Sequence, residues 1–143
     1  MKNEDLELDQ YLFFWVGQVS AFFSRGVTKA LKPHGVNLTT WRVLALLEQR
    51  GVMTISEVND YSGIERSTVS RTVDEMEKKG LIIRTAREGD KRMTDVQITP
   101  AGSTLYHKIL PVVSRWNQRN LHDLSEEEIK TAIKVLRKVR ANF

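Results

Sequence analysis

No cysteine occurs anywhere in this chain of 143 residues. That excludes disulfides, thiolate-bound metals and any redox sensor built on a thiol. Histidine is nearly as scarce. His34, His107 and His122 are scattered, and none has a histidine, Glu or Asp at catalytic or metal-ligand spacing. Neither an enzyme nor a metal or other cofactor is therefore expected. Apolar runs stay well short of the roughly 20 residues that span a bilayer. The opening MKNEDLELDQ is acidic, without the basic and apolar regions of a signal peptide. A cytoplasmic protein with no membrane partner is expected. Internal repeats and low-complexity tracts are also missing.

What is present is an ordinary globular composition, 41% apolar and 28% charged, in a length suited to one domain. The net charge of +4 is mildly favourable for nucleic acid but does not locate a site. Residues 62–92 hold eight basic and six acidic side chains, and the segment from His107 onward holds eight and four. A solvated helix face accounts for the C-terminal cations as readily as contacts with flanking phosphates.

Helical periodicity dominates the chain. One long helix is expected from Leu6 to Lys32, ended by Pro33, His34 and Gly35, and a second over Leu38–Arg50, starting near Thr39 or Thr40 and stopped by Gly51. Thr54 and Glu57 have capping-box spacing and open a third helix, and Ser62-Gly63 turns the chain. A fourth helix runs from about Ser67 to Lys79 and ends at Gly80. Leu81–Thr85 and Thr94–Ile98 then read as two paired strands, with Leu81, Ile83, Val96 and Ile98 alternating toward one buried face. The tip between them is AREGDKR. Thr99-Pro100 starts a long fifth helix, and Ser125 with Glu128 caps a sixth.

The fourth helix is the informative element. Val69, Val73 and Met76 form one apolar face for docking on a core. The other side carries Arg66, Ser67, Thr68, Ser70 and Arg71, hydroxyls and guanidiniums that reach base edges and phosphates in a major groove. The pattern is a helix-turn-helix followed by a wing, and double-stranded DNA is the expected partner. Flanking it, the first, fifth and sixth helices carry more apolar surface than one small module covers, at about 25 cal/mol per Å² left in water. A two-fold homodimer removes that surface and matches a pseudo-palindromic operator.

With this order of elements, LTTWRVLALL (38–47), STVSRTVDEMEKKGLIIR (67–84), the wing's Asp90-Lys91-Arg92 and ITPAG (98–102), the chain resembles the MarR family of bacterial transcription regulators. The resemblance covers nearly the whole chain. It implies a mainly α fold with a small β wing, a single domain over 1–143 in which a winged helix-turn-helix (37–99) is flanked by dimerisation helices (1–36 and 100–143). It also implies a repressor released by a small aromatic or anionic effector. Carried onto matching positions, Ser67, Thr68, Ser70 and Arg71 face the major groove. Arg92 enters the minor groove with Asp90 orienting it, and Arg87 and Lys91 meet phosphates. Glu65 departs from the pattern: an acid there favours the helix dipole but repels phosphate, which weakens Arg66 as a contact. By position, Trp15, His34, Trp41 and Arg42 are the expected effector residues, aromatic walls with a cation to fix an anion.

Two rival classes remain at this point. Winged helices also dock proteins, and an architectural binder uses similar charges without discriminating sequences. A docking face is expected to carry exposed aromatics and few charges; the hydroxyls and arginines here favour DNA.

Overall fold

A computed structural model describes residues 7–143. Leu6, the expected start of the first helix, lies outside the described residues, as does most of the acidic opening. The chain divides into two compact units, Met1–Val113 and Ser114–Phe143. No helix among the described residues is long and apolar enough to cross a membrane.

The first unit begins with a single 3-10 turn and then α1 (Leu12–Leu31), which a second 3-10 turn and left-handed Gly35 bring to an end. Only Val27 and Leu31 of α1 are buried, while Phe13, Trp15, Val19 and Phe22 stand exposed in the single chain. α2 (Leu38–Arg50) has the expected bounds, but its cap is Asn37, whose side chain accepts from the Thr40 amide at 2.8 Å. Thr39 and Thr40 lie inside the helix. Trp41, Val43, Leu44 and Leu47 bury its inner face.

The sheet has three strands, not the two expected. β1 (Met53–Thr54) pairs antiparallel with β3 (Asp90–Ile98), which pairs with β2 (Ile82–Arg87), giving the order β1-β3-β2. A two-residue strand shows no alternation, so nothing marked it in the sequence. Thr54 does double duty, closing β1 and capping α3 (Ile55–Ser62) through the expected box with Glu57. Gly63 turns the chain in the left-handed region at φ 64°, and α4 (Arg66–Lys78) follows. Val69, Thr72, Val73 and Met76 make its buried stripe, each apolar member contributing on the order of 1.5–3 kcal/mol of transfer free energy.

The register of β2 corrects the sequence expectation. Ile82 is buried and Ile83 is exposed, with Ile82 opposite Ile98 and Arg84 opposite Val96. The strand starts one residue late because Leu81 still belongs to the helix exit. Its amide donates to the Met76 carbonyl and that of Gly80 to Glu77, the paired bonds of a Schellman ending with left-handed glycine. A one-residue shift exchanges the two faces of a strand.

α5 (Pro100–Asn120) starts from the same junction. The Thr99 hydroxyl donates to the Gly80 carbonyl at 2.6 Å and accepts from the Gly102 amide, while the Thr99 amide donates to the Leu81 carbonyl. Gly102 sits so close to that carbonyl that a Cβ would lie 2.2 Å from the oxygen. Within the second unit, α6 (Glu126–Arg140) shows the expected Ser125/Glu128 box, with three glutamates in its first turn and Arg137, Lys138 and Arg140 in its last. The Ser125 backbone amide, donating to the Glu128 carboxylate at 2.7 Å, chiefly holds that carboxyl below its ordinary pKa, and the Ser125 side chain adds to the effect. None of α6 is buried, and Ile133, Val135 and Leu136 are exposed in the single chain.

The close approach at Gly102 yields a direct test. Gly102→Ala should destabilise the fold by about 3 kcal/mol, as overpacking against unyielding backbone does. A urea midpoint at fixed protein concentration equal to that of the parent chain would contradict this packing.

Candidate nucleic-acid interface

The buried stripe of α4 decides what the helix shows to solvent. With Val69, Thr72 and Val73 turned inward, Arg66, Ser67, Ser70 and Arg71 are exposed and Thr68 is half-buried at the edge. Among the described residues, the side chains of Arg71 and Arg66 make no ion pair or hydrogen bond. Ser67 differs: its hydroxyl donates to the Glu65 carboxylate at 3.0 Å. Glu65 is the residue preceding α4, yet its side chain takes no backbone amide of the helix. The acid noted in the sequence as a departure thus occupies one of the expected groove-facing hydroxyls.

The wing is longer and tighter than the sequence indicated. β2 and β3 continue to a two-residue turn at Glu88-Gly89, with Gly89 at φ 86°. Asp90 accepts from the backbone amide of Arg92 at 3.1 Å, whereas the Arg92 Nε is 3.9 Å away. Asp90 therefore shapes the backbone beneath Arg92 more than it grips the guanidinium. The Arg92 side chain is 96% exposed. Lys91 is exposed beside it and has no ion pair among the described residues. Arg87 is already occupied, its Nε and Nη2 both bonded to Asp95 at 3.0 and 2.9 Å.

One ion cluster at the base of this surface had no sequence signal. Arg84 on β2 reaches α4, with Nη1 2.7 Å from Asp74 and Nη2 2.6 Å from Glu77, while Nε donates to Glu77 at 2.7 Å. The hydrogen bond donated to Glu77 chiefly, and then that to Asp74, hold the guanidinium above its ordinary pKa, outweighing the opposite effect of burial. In sequence Arg84 read only as one residue of a strand.

The four expected effector residues do not gather in one place within a chain. Trp41 and Arg42 line a cleft of about 270 Å³ with Ala45, Leu46, Gln49, Tyr61 and Ser62. The Trp41 ring stacks on Tyr106, centroids 5.1 Å apart and planes 4° from parallel. His34 lines a separate cavity of about 80 Å³ with Asn37, Glu75 and Lys79. Trp15 lines neither, and its indole N–H donates to the Asp9 carbonyl. His107, which the sequence left without an acidic neighbour, lies 3.0 Å from Glu48 across 59 residues of chain, and Ser103 donates to the same carboxylate. Because Ser103 faces the carboxylate and not the imidazole, the trio lacks the nucleophile–base contact of a hydrolase. No metal-holding cluster of His, Cys, Asp and Glu is found among the described residues.

This surface can now be set beside known proteins. The sequence pattern of the MarR family matches residues 36–94, from the α1–α2 turn to the wing. The chain is 30% identical over 131 residues to the HTH-type transcriptional regulator MhqR of Bacillus subtilis, covering 92% of this chain and 90% of that one. The chain belongs to the MarR family. It is also 25% identical to the HTH-type transcriptional repressor IacR of Pseudomonas putida, over 99% of this chain and 84% of that one. Among solved structures, CouR of Rhodococcus jostii bound to p-coumaroyl-CoA superposes with a TM-score of 0.84 at 23% identity, covering 95% of this chain and 96% of that one. MarR regulators are DNA-binding transcription regulators that act as dimers and bind small-molecule effectors. The exposed apolar faces of α1 and α6 suit such a dimer.

Proposed function

We propose that this MarR protein is a cytoplasmic, dimeric repressor, with residues 37–99 as the DNA-binding module and residues 1–36 and 100–143 as dimerisation segments. One observation carries the DNA reading: among the described residues the Arg71 side chain has no partner, and it lies on the outer face of a helix whose opposite stripe is buried. Ser70 and Arg71 enter the major groove, with Thr68 at its margin and Ser67 held by Glu65. Arg66 and Lys91 meet phosphates. Arg92 enters the adjacent minor groove, its backbone set by Asp90. Arg87, bonded to Asp95, contributes mainly as a brace of the wing. The role is one of binding, without catalysis.

The effector reading rests on the cleft at Trp41 and Arg42. Aromatic walls from Trp41 and Tyr61 with the Arg42 cation suit an aromatic acid, and CouR carries an aromatic acyl compound. His34 and Trp15 stand apart from this cleft. Because coupling between sites is reciprocal, an aromatic acid that releases DNA must bind more weakly, by the same factor, in the presence of DNA. No mutual effect for any such acid would make the regulator constitutive.

Anisotropy of the chain on a labelled duplex from upstream of its own gene tests the DNA contacts. Arg71→Ala should lower specific affinity by about 1–3 kcal/mol. Lys91→Ala should weaken all sequences alike and reduce the salt slope by about 0.9. Arg92→Ala should cost most on duplexes with A·T-rich, narrow minor grooves. Unchanged affinity for folded Arg71→Ala would remove that residue from the interface.

A further inference from the structure

The cluster of Arg84, Asp74 and Glu77 bears on recognition as well as on packing. Asp74 and Glu77 stand three residues apart, so both carboxylates project from one side of α4. Asp74 is also three residues beyond Arg71 and four beyond Ser70, the separations at which helical side chains meet. A carboxylate in that position has two effects when it is free. It competes with DNA for the Arg71 guanidinium through an i, i+3 ion pair, and it repels phosphates approaching the helix. Asp74 and Glu77 are not hidden from solvent, at 48% and 36% side-chain exposure, so burial does not neutralise either effect. Arg84 does: it meets both carboxylates at 2.6–2.7 Å, and among the described residues the Arg71 side chain has no ion-pair partner.

We propose that Arg84 is a positioning residue for DNA recognition, masking Asp74 and Glu77 so that Arg71 remains available to the groove. Arg84 itself touches no DNA. Its side of β2 is that of Ile82 and Val96, turned toward the core, and its donors are spent on α4. The sequence puts six acidic groups among eight basic ones in residues 62–92, and Arg84 masks two of the six. The inference rests on α4 being the DNA-reading helix.

The test measures R84Q and the triple variant R84Q/D74N/E77Q against the full-length parent by anisotropy, on the duplex from upstream of the chain's own gene, with melting temperatures and a salt series. R84Q should bind about tenfold more weakly, since two unmasked carboxylates act on Arg71 and on phosphates. The triple variant should return to within about threefold of the parent and keep its salt slope, because no phosphate contact has been lost. Parent-like binding by R84Q would overturn the proposal. So would a triple variant that folds yet stays as weak as R84Q, or one whose salt slope falls by about 0.9, which would make Arg84 a phosphate contact. Should R84Q alone fail to fold, the triple variant decides, since it removes both carboxylates that Arg84 would otherwise leave unmasked. A triple variant that also fails to fold assigns the cluster a purely structural role and overturns the mask. Absence of binding by the parent chain is a different result, removing the DNA reading beneath this inference.

Discussion

Everything on the candidate DNA surface hangs from the junction where α4, β2, β3 and α5 meet. There the Met76 carbonyl takes the Leu81 amide, the Gly80 carbonyl takes the Thr99 hydroxyl, and the Leu81 carbonyl takes the Thr99 amide. Gly102 presses its bare Cα against that same carbonyl. Two successive pairs of elements, α4 with β2 and β3 with α5, are thereby referred to one short stretch of backbone. The recognition helix leaves it in one direction, the wing in another and α5 in a third. Backbone hydrogen bonds of this kind are individually modest, about 1 kcal/mol net each. Their worth lies in direction: a helix and a wing that read two adjacent grooves must keep a constant spacing, and side-chain packing alone sets spacing less sharply than a shared junction does.

Electrostatics completes what the junction begins. Arg84 ties β2 to α4 from the side, and Arg87 ties the two wing strands through Asp95. Exposed ion pairs are worth little to stability, typically under about 1 kcal/mol. Here they sort the charges instead. Arg84 and Arg87 are engaged with internal carboxylates, whereas Arg66, Arg71, Lys91 and Arg92 are exposed. A net charge of only +4 is thus compatible with a focused basic surface.

The fold was largely legible from local signals. Both capping boxes, the glycine stops after α2, α3 and α4 and the Thr99-Pro100 start are short-range chemistry, and each acts where the sequence places it. The structure departs from these local signals mostly where the decisive partner is remote. β1 is too short to show a period and exists because β3 offers it an edge. The face of β2 was misjudged because Leu81 looks like a strand residue and serves as the helix exit. The Glu48–His107 contact and the Arg84 cluster join positions whose proximity no spacing rule reveals. Among the candidate groove residues, exposure of Ser70 and Arg71 followed from the apolar period of α4, but the diversion of Ser67 to Glu65 and of Arg87 to Asp95 needed three-dimensional geometry.

The central claim is that α4 and the wing act as one rigid reader of adjacent grooves, twice per dimer. Hydroxyl-radical footprinting on DNA from upstream of the chain's own gene addresses it most directly. The account expects two protected half-sites whose centres lie about one helical turn, 10–10.5 base pairs, or a multiple of it, apart, each with protection continuing into the flanking minor groove. Uniform protection without that period, or none at any position, would contradict it.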